Sequence, residues 1–292
     1  MSLQVVERTA AELLRLAVTV LPRDVREALE RAYETETSDI GRAQLEAILE
    51  DVRLAEETSR PICQDTGTII FYVRIGSDFP LRRGLYDALV RATRRATQEV
   101  PLRPNAVDPL EERNTGDNTG RYIPYVHWEL FDGDYLELTA FPKGGGSENT
   151  CRLGMLSPAL GLGGLKKFVL DSIIEAGGKP CPPVIVGVAV GGGSDIAMEL
   201  AKKALLRPLD VPNPNPELSK LEEELLRAIN DTGIGPMGLG GRWTALRVHI
   251  DYACRHPASY PVAVATQCWA ARRASARIYA DGSVEYLTHE VG

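Results

Sequence analysis

The 292-residue chain contains no C-x-x-C pair, no G-K-[ST] element and no uninterrupted apolar run of about 18 residues. The first absence argues against a zinc ribbon or a thioredoxin-type dithiol. The second excludes a P-loop. The third excludes a membrane-spanning helix. Positive charge is also short: 33 Lys and Arg face 40 Asp and Glu, for a net charge of −7. That balance argues against nucleic acid or an anionic membrane surface as a partner. The opening residues, MSLQVVERTAAELL, carry charges inside their apolar stretch, which is not the pattern of a signal peptide. The expected compartment is the cytoplasm. The five cysteines are odd in number, in a long chain without a secretion signal, so no disulfide framework is expected. What remains is isolated thiols, or a site gathered from distant parts of the chain.

What is present suits a globular protein: 44% of residues are hydrophobic and 25% charged. Apolar residues recur at helical spacing over 8–21, 24–36 and 39–58, where Ser38 or Asp39 could cap the third helix. The β-rich TIIFYVRIG follows, and then a helical pattern over 81–100. Residues 101–121 hold turn chemistry without periodicity. YIPYVHWELF and DYLELTAF read as a strand pair closed by an Asp132-Gly133-Asp134 turn. Further helices are expected over 163–176, 195–206 and 216–230. Strands are expected in CPPVIVGVAVGGG and near 243–250, 261–266, 275–281 and 283–288. The expected class is α/β or α+β: a helical N-terminal segment, 1–58, then mixed β-sheets with surrounding helices, in one domain over 1–292. PLDVPNPNPE (208–217) is the best internal break, or only a surface loop.

The glycine clusters need care. GIGPMG (233–238) matches G-x-G-x-x-G literally, but a helical pattern precedes it, and a dinucleotide fingerprint needs strand, turn, helix in that order. VIVGVAVGGGSDIAMELAKKAL (184–205) has that order and could offer backbone N–H groups to an anion, as in a nucleotide-binding oxidoreductase. A tight strand-to-helix turn explains it as well. In Lys143-Gly144-Gly145-Gly146-Ser147, glycines allow close backbone approach and the lysine favours an anion; the bland alternative is a flexible hairpin exit. The doubled NTG of 114–120 reads equally well as ordinary turn chemistry.

Cys63, Cys181 and Cys268 each stand at a junction of loop and strand, where ligands are usually carried, whereas Cys151 and Cys254 lack such settings. The stretches around them are informative in order: RPICQDTG (60–67), LRPNAVDPL (102–110), NTGDNTG (114–120), KGGGSEN (143–149), CPPVIVG (181–187), RHPAS (255–259) and TQCWAARR (266–273). With these, nearly the whole chain resembles the α subunit of the iron–sulfur hydro-lyases of the class I fumarate hydratase and L-tartrate dehydratase family.

The resemblance implies a [4Fe–4S] cluster held by Cys63, Cys181 and Cys268, whose fourth iron stays open as a Lewis acid. Cys151 and Cys254 would be ordinary thiols. It implies active-site roles for Asp65 and His256 and substrate contacts for Gln64, Arg103, Gly146 and the Lys143 loop; a guanidinium at Arg103 suits a carboxylate bidentately. Bland alternatives remain open: Asp65 as a turn former, Arg103 as a surface ion pair, His256 as a satisfied loop residue. His127, His249 and His289 keep the ordinary structural reading. The family's proton-abstracting group lies in a further domain or a separate β subunit. The chain stops at Gly292, so the expectation is an obligate β partner, an α2β2 assembly and a large exposed apolar surface on the isolated subunit. KGGGSEN resembles the fumarase branch. The expected substrate is therefore fumarate/malate, in the tricarboxylic acid cycle, with L-tartrate as runner-up and mesaconate/citramalate also open.

Overall fold

A computed structural model of the chain describes residues 2–290. In chain order the elements are α1 (Leu3–Thr19), α2 (Arg23–Thr35), α3 (Asp39–Thr58), β1 (Thr68–Gly76), α4 (Leu85–Glu99), β2 (Val107–Asp108), β3 (Arg113–Asn114), β4 (Tyr125–Phe131), β5 (Leu136–Lys143) and α5 (Gly145–Glu148). There follow β6 (Arg152–Leu156), α6 (Gly161–Ala176), β7 (Val184–Gly192), α7 (Ser194–Ala204), α8 (Pro216–Asn230), β8 (Ala245–Arg255), β9 (Tyr260–Gln267), β10 (Ala274–Ile278) and β11 (Val284–Tyr286). Helices with mixed sheets are the class the patterning predicts. The chain divides into two compact units, one of residues 1–23, 51–145 and 272–292, the other of 24–50 and 146–271. PLDVPNPNPE lies inside the second unit. Among the described residues no helix is long and apolar enough to cross a membrane.

The first unit is built on a five-stranded sheet in the order β11-β10-β5-β1-β4. Alternate residues of β1 (Ile69, Phe71, Val73, Ile75) join Leu136, Leu138 and Ala140 of β5 and Ala274, Ala276 and Ile278 of β10 in a buried face. The stripes of α1 (Ala10, Leu13, Leu14, Ala17) and α4 (Ala88, Leu89, Ala92, Ala96) cover it. Phe71 is fully buried there; truncation to alanine would cost about 3–5 kcal/mol. On the other face Arg277, Glu137, Arg74 and Glu129 stand directly opposite one another across four strands, with Nε–Oε distances of 3.0 Å at Arg277–Glu137 and Arg74–Glu129. Such half-exposed pairs add little energy, but a one-residue slip would break all of them, so they mark the register.

One expectation fails here. The strands on either side of Asp132-Gly133-Asp134 exist, but they do not pair with each other. β1 lies between them, parallel to β4 and antiparallel to β5. The turn instead closes around the end of β1: Gly76 donates to Tyr135 O, Ser77 to Phe131 O and Asp78 to Gly133 O, at 2.8–2.9 Å. A strand as apolar as β1 is stabilised most with a neighbour on each edge, and local hairpin chemistry yields to that burial. A smaller correction concerns Lys143-Gly144-Gly145-Gly146-Ser147, for which one reading is a flexible hairpin exit: the lysine ends β5 and Gly145–Glu148 form one helical turn.

The second unit holds a four-stranded sheet in the order β6-β9-β7-β8, with β7 parallel to β8 and antiparallel to β9. Val184, Val186 and Val188 of β7 and Val262 and Val264 of β9 face α6 and α8. The intervening residues face α7. There Gly187 is required, because a Cβ would lie 2.1 Å from the Ala201 carbonyl oxygen. α8 begins with Pro216 at its first turn and Asn215 as cap, the amide oxygen accepting from Glu217 N and Leu218 N.

Glu36, at the corner after α2, is buried and binds only backbone. Its carboxylate accepts N–H bonds from Thr37, Ser38, Arg242 and Trp243 at 2.8–3.1 Å. Burial pushes the carboxyl up, but these N–H donors together outweigh it and hold its pKa below the ordinary glutamate range. The group therefore adds stability above that range, and the contribution is lost as pH falls through the depressed folded value. Glu36→Gln is expected to lower the unfolding free energy at neutral pH by about 2 kcal/mol and to flatten the decline on the acid side. Urea denaturation across pH checks both; an unchanged acid limb would refute the assignment.

Candidate active site

Four of the motifs singled out in the sequence interlock in the first unit, and Asp65 is their centre. RPICQDTG runs from α3 into β1, so Asp65 stands at the mouth of a buried strand. Its Oδ1 accepts from Gly67 N at 3.0 Å and Asn105 Nδ2 at 3.2 Å; its Oδ2 accepts from Gly145 N at 2.7 Å. The half-buried carboxylate thus ties its own turn to LRPNAV and to the glycine loop. Arg272, 1% exposed, donates through Nη1 to the Asp65 carbonyl. Its Nη2 would stand 2.7 Å from a Cβ on Gly144, so glycine is needed for the guanidinium to lie on the loop. Lys143, also buried, ends β5 immediately before.

LRPNAV is held by the doubled NTG. Asn118 is buried in a left-handed conformation, φ 59°, where asparagine is tolerated. Its Nδ2 donates to Arg103 O and Thr97 Oγ1, and its Oδ1 accepts from Asn105 N at 2.6 Å. Thr66 Oγ1 also donates to Arg103 O, at 3.2 Å. The Arg103 carbonyl is thereby held by two donors while its side chain is exposed, as is that of Gln64.

In the second unit, Cys181 and Cys268 come together at one end of the sheet. Cys181 precedes β7 with a left-handed backbone, φ 54°, and its carbonyl accepts from Trp269 N at 3.2 Å. Cys268 directly follows β9, with Sγ 3.6 Å from Ala270 O. Both side chains are half-buried, as is Cys63 of the first unit, whereas Cys254 is exposed. Cys151, also half-buried, has Sγ 3.7 Å from Ser147 O, an interaction within its own turn. Gly146 is exposed at the start of α5. His256 lies on the exposed loop after β8, where Nδ1 accepts from Ala258 N at 3.1 Å, so the neutral ring carries its proton on Nε2. Among the described residues no group of three His, Cys, Asp or Glu side chains forms a ready-made metal site.

Sequence reasoning missed four residues. Asn105 and Asn118 were hidden in ordinary turn composition. Arg272 is a buried cation whose signal was its place in TQCWAARR. Gln267, 1% exposed in the same stretch, has no hydrogen-bond partner for either amide atom among the described residues.

A family profile, Fumarate hydratase (Fumerase), matches residues 7–277. The chain belongs to that family. Among curated relatives, this fumarate hydratase family member is 48% identical over 278 residues to the putative L(+)-tartrate dehydratase subunit alpha of Methanocaldococcus jannaschii, covering 94% of this chain and 97% of that one. It is 41% identical over 272 residues to the L(+)-tartrate dehydratase subunit alpha of Escherichia coli strain UTI89, covering 93% and 90%. The K12 strain's protein of the same name is 40% identical over an equal span.

Asp65→Ala is expected to free the Gly145 amide and accelerate its hydrogen exchange, with a loss of about 2 kcal/mol in stability. Asn118→Ala, which removes three hydrogen bonds of a buried side chain, is expected to cost about 3 kcal/mol by denaturant titration. Protection of Gly145 unchanged in Asp65→Ala would show that the carboxylate does not hold the loop.

Proposed function

We propose that the chain is the cluster-binding α subunit of a hydro-lyase that adds or removes water at a C4 dicarboxylate. The likeness along more than nine-tenths of the chain to proteins named L(+)-tartrate dehydratase subunit alpha carries this reading. Those names favour L-tartrate as substrate. Fumarate/malate is the second reading, supported by KGGGSEN; mesaconate/citramalate differs by a methyl group, which only a local pocket would register.

Cys63, Cys181 and Cys268 would hold a [4Fe–4S] cluster. The donor set fits: these are half-buried thiols in loops, two of them joined through Trp269, with an orphaned amide beside Cys268. When bound, such a cluster supplies an open iron that acts as a Lewis acid towards a substrate hydroxyl. The chain's own residues bind and orient. Arg103, backbone-fixed and exposed, takes a substrate carboxylate, with Gln64 beside Cys63 as an adaptable partner. Asp65 keeps both oxygens on N–H donors, so it positions the glycine loop, from which Gly146 offers backbone to the substrate. Lys143 and Arg272 place buried positive charge around that loop and favour a dianion. His256 has a free-standing Nε2–H to donate.

A separate β subunit would carry the proton acceptor, in an α2β2 assembly. The relatives' designation as subunit alpha supports a partner. So do exposed apolar side chains on edge strands of each unit: Tyr125, Trp128 and Leu130 on β4, and Leu153 and Met155 on β6.

The test is iron and acid-labile sulfide after anaerobic reconstitution with the β subunit present. Wild type and Cys151→Ser should load a cluster; Cys63→Ser, Cys181→Ser and Cys268→Ser should not. The loaded complex is then assayed on L-tartrate and on fumarate, with a higher kcat/KM expected for L-tartrate. Wild type without iron sinks the proposal. The rival nucleotide-binding reading predicts NAD(P) binding without iron, and Asp195 in the first turn of α7 weighs against a phosphate there.

A further inference from the structure

Gln267 is a costly residue to keep where it is. It ends β9, with its backbone paired to Ile185 of β7. Along that strand Val262, Ala263, Val264 and Ala265 are fully buried and apolar. The one other polar side chain near its end, Thr266, is satisfied: its hydroxyl meets Thr150 Oγ1 at 2.7 Å and Ser147 O at 3.1 Å. Gln267 is buried as deeply, and neither Oε1 nor Nε2 has a partner among the described residues. An amide offers two donors and an acceptor, and burying all of them unmet opposes folding, whereas a leucine would suit the surroundings. An unmet amide of this kind points to a partner that the described residues do not supply.

Its position indicates what. Cys268 is the next residue. Trp269, one further on, donates to the Cys181 carbonyl. Gln267 thus stands where the two cysteine-bearing loops of the second unit join. We propose that Gln267 is a positioning residue for the iron–sulfur cluster, its Nε2–H donating a hydrogen bond to sulfur at the Cys268 corner. The inference rests on the reading that the chain binds a cluster. A thiolate-bound cluster is anionic and its sulfurs accept hydrogen bonds; donors around it tune how firmly it is kept and its potential. The amide need not be a ligand, since thiolates outcompete it for iron.

The experiment compares wild type, Gln267→Leu and Gln267→Glu, reconstituted anaerobically with the β subunit, by the rate of iron loss to a chelator and by the reduction potential of the cluster. Gln267→Leu should lose iron roughly 10-fold faster and shift the potential to a lower value. Gln267→Glu, which swaps a donor for a negative charge, should lose iron at least as fast. The cluster-free Gln267→Leu protein should be no less heat-stable than cluster-free wild type, because it relieves an unmet amide. Equal iron retention and equal potential in wild type and Gln267→Leu overturn the inference and leave the cluster reading standing. A cluster-free Gln267→Leu that is destabilised as much as the loaded one also overturns it, since the amide would then be an ordinary structural group. A wild type that takes up no iron overturns both.

Discussion

The carboxylate of Asp65 is the constraint on which the first unit's loops depend. Three N–H groups, from its own turn, from LRPNAV and from the glycine loop, converge on two oxygens. Hydrogen bonds to an ionised group are the stronger kind, and here each joins a different segment. Ile62 and Leu102 anchor two of these loops by burial, and polar geometry sets the rest of their course. Asn118 repeats the device one layer further out, and Arg272 closes it from the other end of the chain.

The two sheets supply the fixed frame for such loops. Each contains a strand buried along most of both faces: β1 in the first unit, and β7, beside the equally buried β9, in the second. Both lead out of a cysteine loop, Cys63 before β1 and Cys181 before β7. A rigid strand behind a loop is a way to aim a thiol without fully burying it. The left-handed backbone at Cys181 and its bond to Trp269 serve the same purpose.

Much of this was legible from spacing alone. The second and third helices fall within one residue of their predicted limits, because their stripes are regular and their corners carry Glu36 and Ser38, whereas the first begins at Leu3 rather than residue 8. The buried strand of CPPVIVGVAVGGG was equally clear. The pairing of β4 was not, because edge pairing depends on which strand is most apolar, and that comparison is global. In the site, cysteines and glycines stand out by type, and their sequence neighbours carried the family resemblance. Asn105, Asn118, Arg272 and Gln267 did not stand out. Their roles depend on burial and on partners far away in the chain, which no local pattern encodes.

The first unit's sheet has a feature with a temporal side. β10, residues 274–278, pairs with β5, residues 136–143, and β1 already holds the other edge of β5. The whole second unit from Gly146 onward is synthesised between those partners. A nascent chain therefore carries β5 with one edge bare until residues 274–278 leave the ribosome. The second unit can complete its sheet earlier, since β9 precedes β10. Vectorial synthesis would thus finish the unit that bears Cys181 and Cys268 first, and the unit that bears Cys63 last.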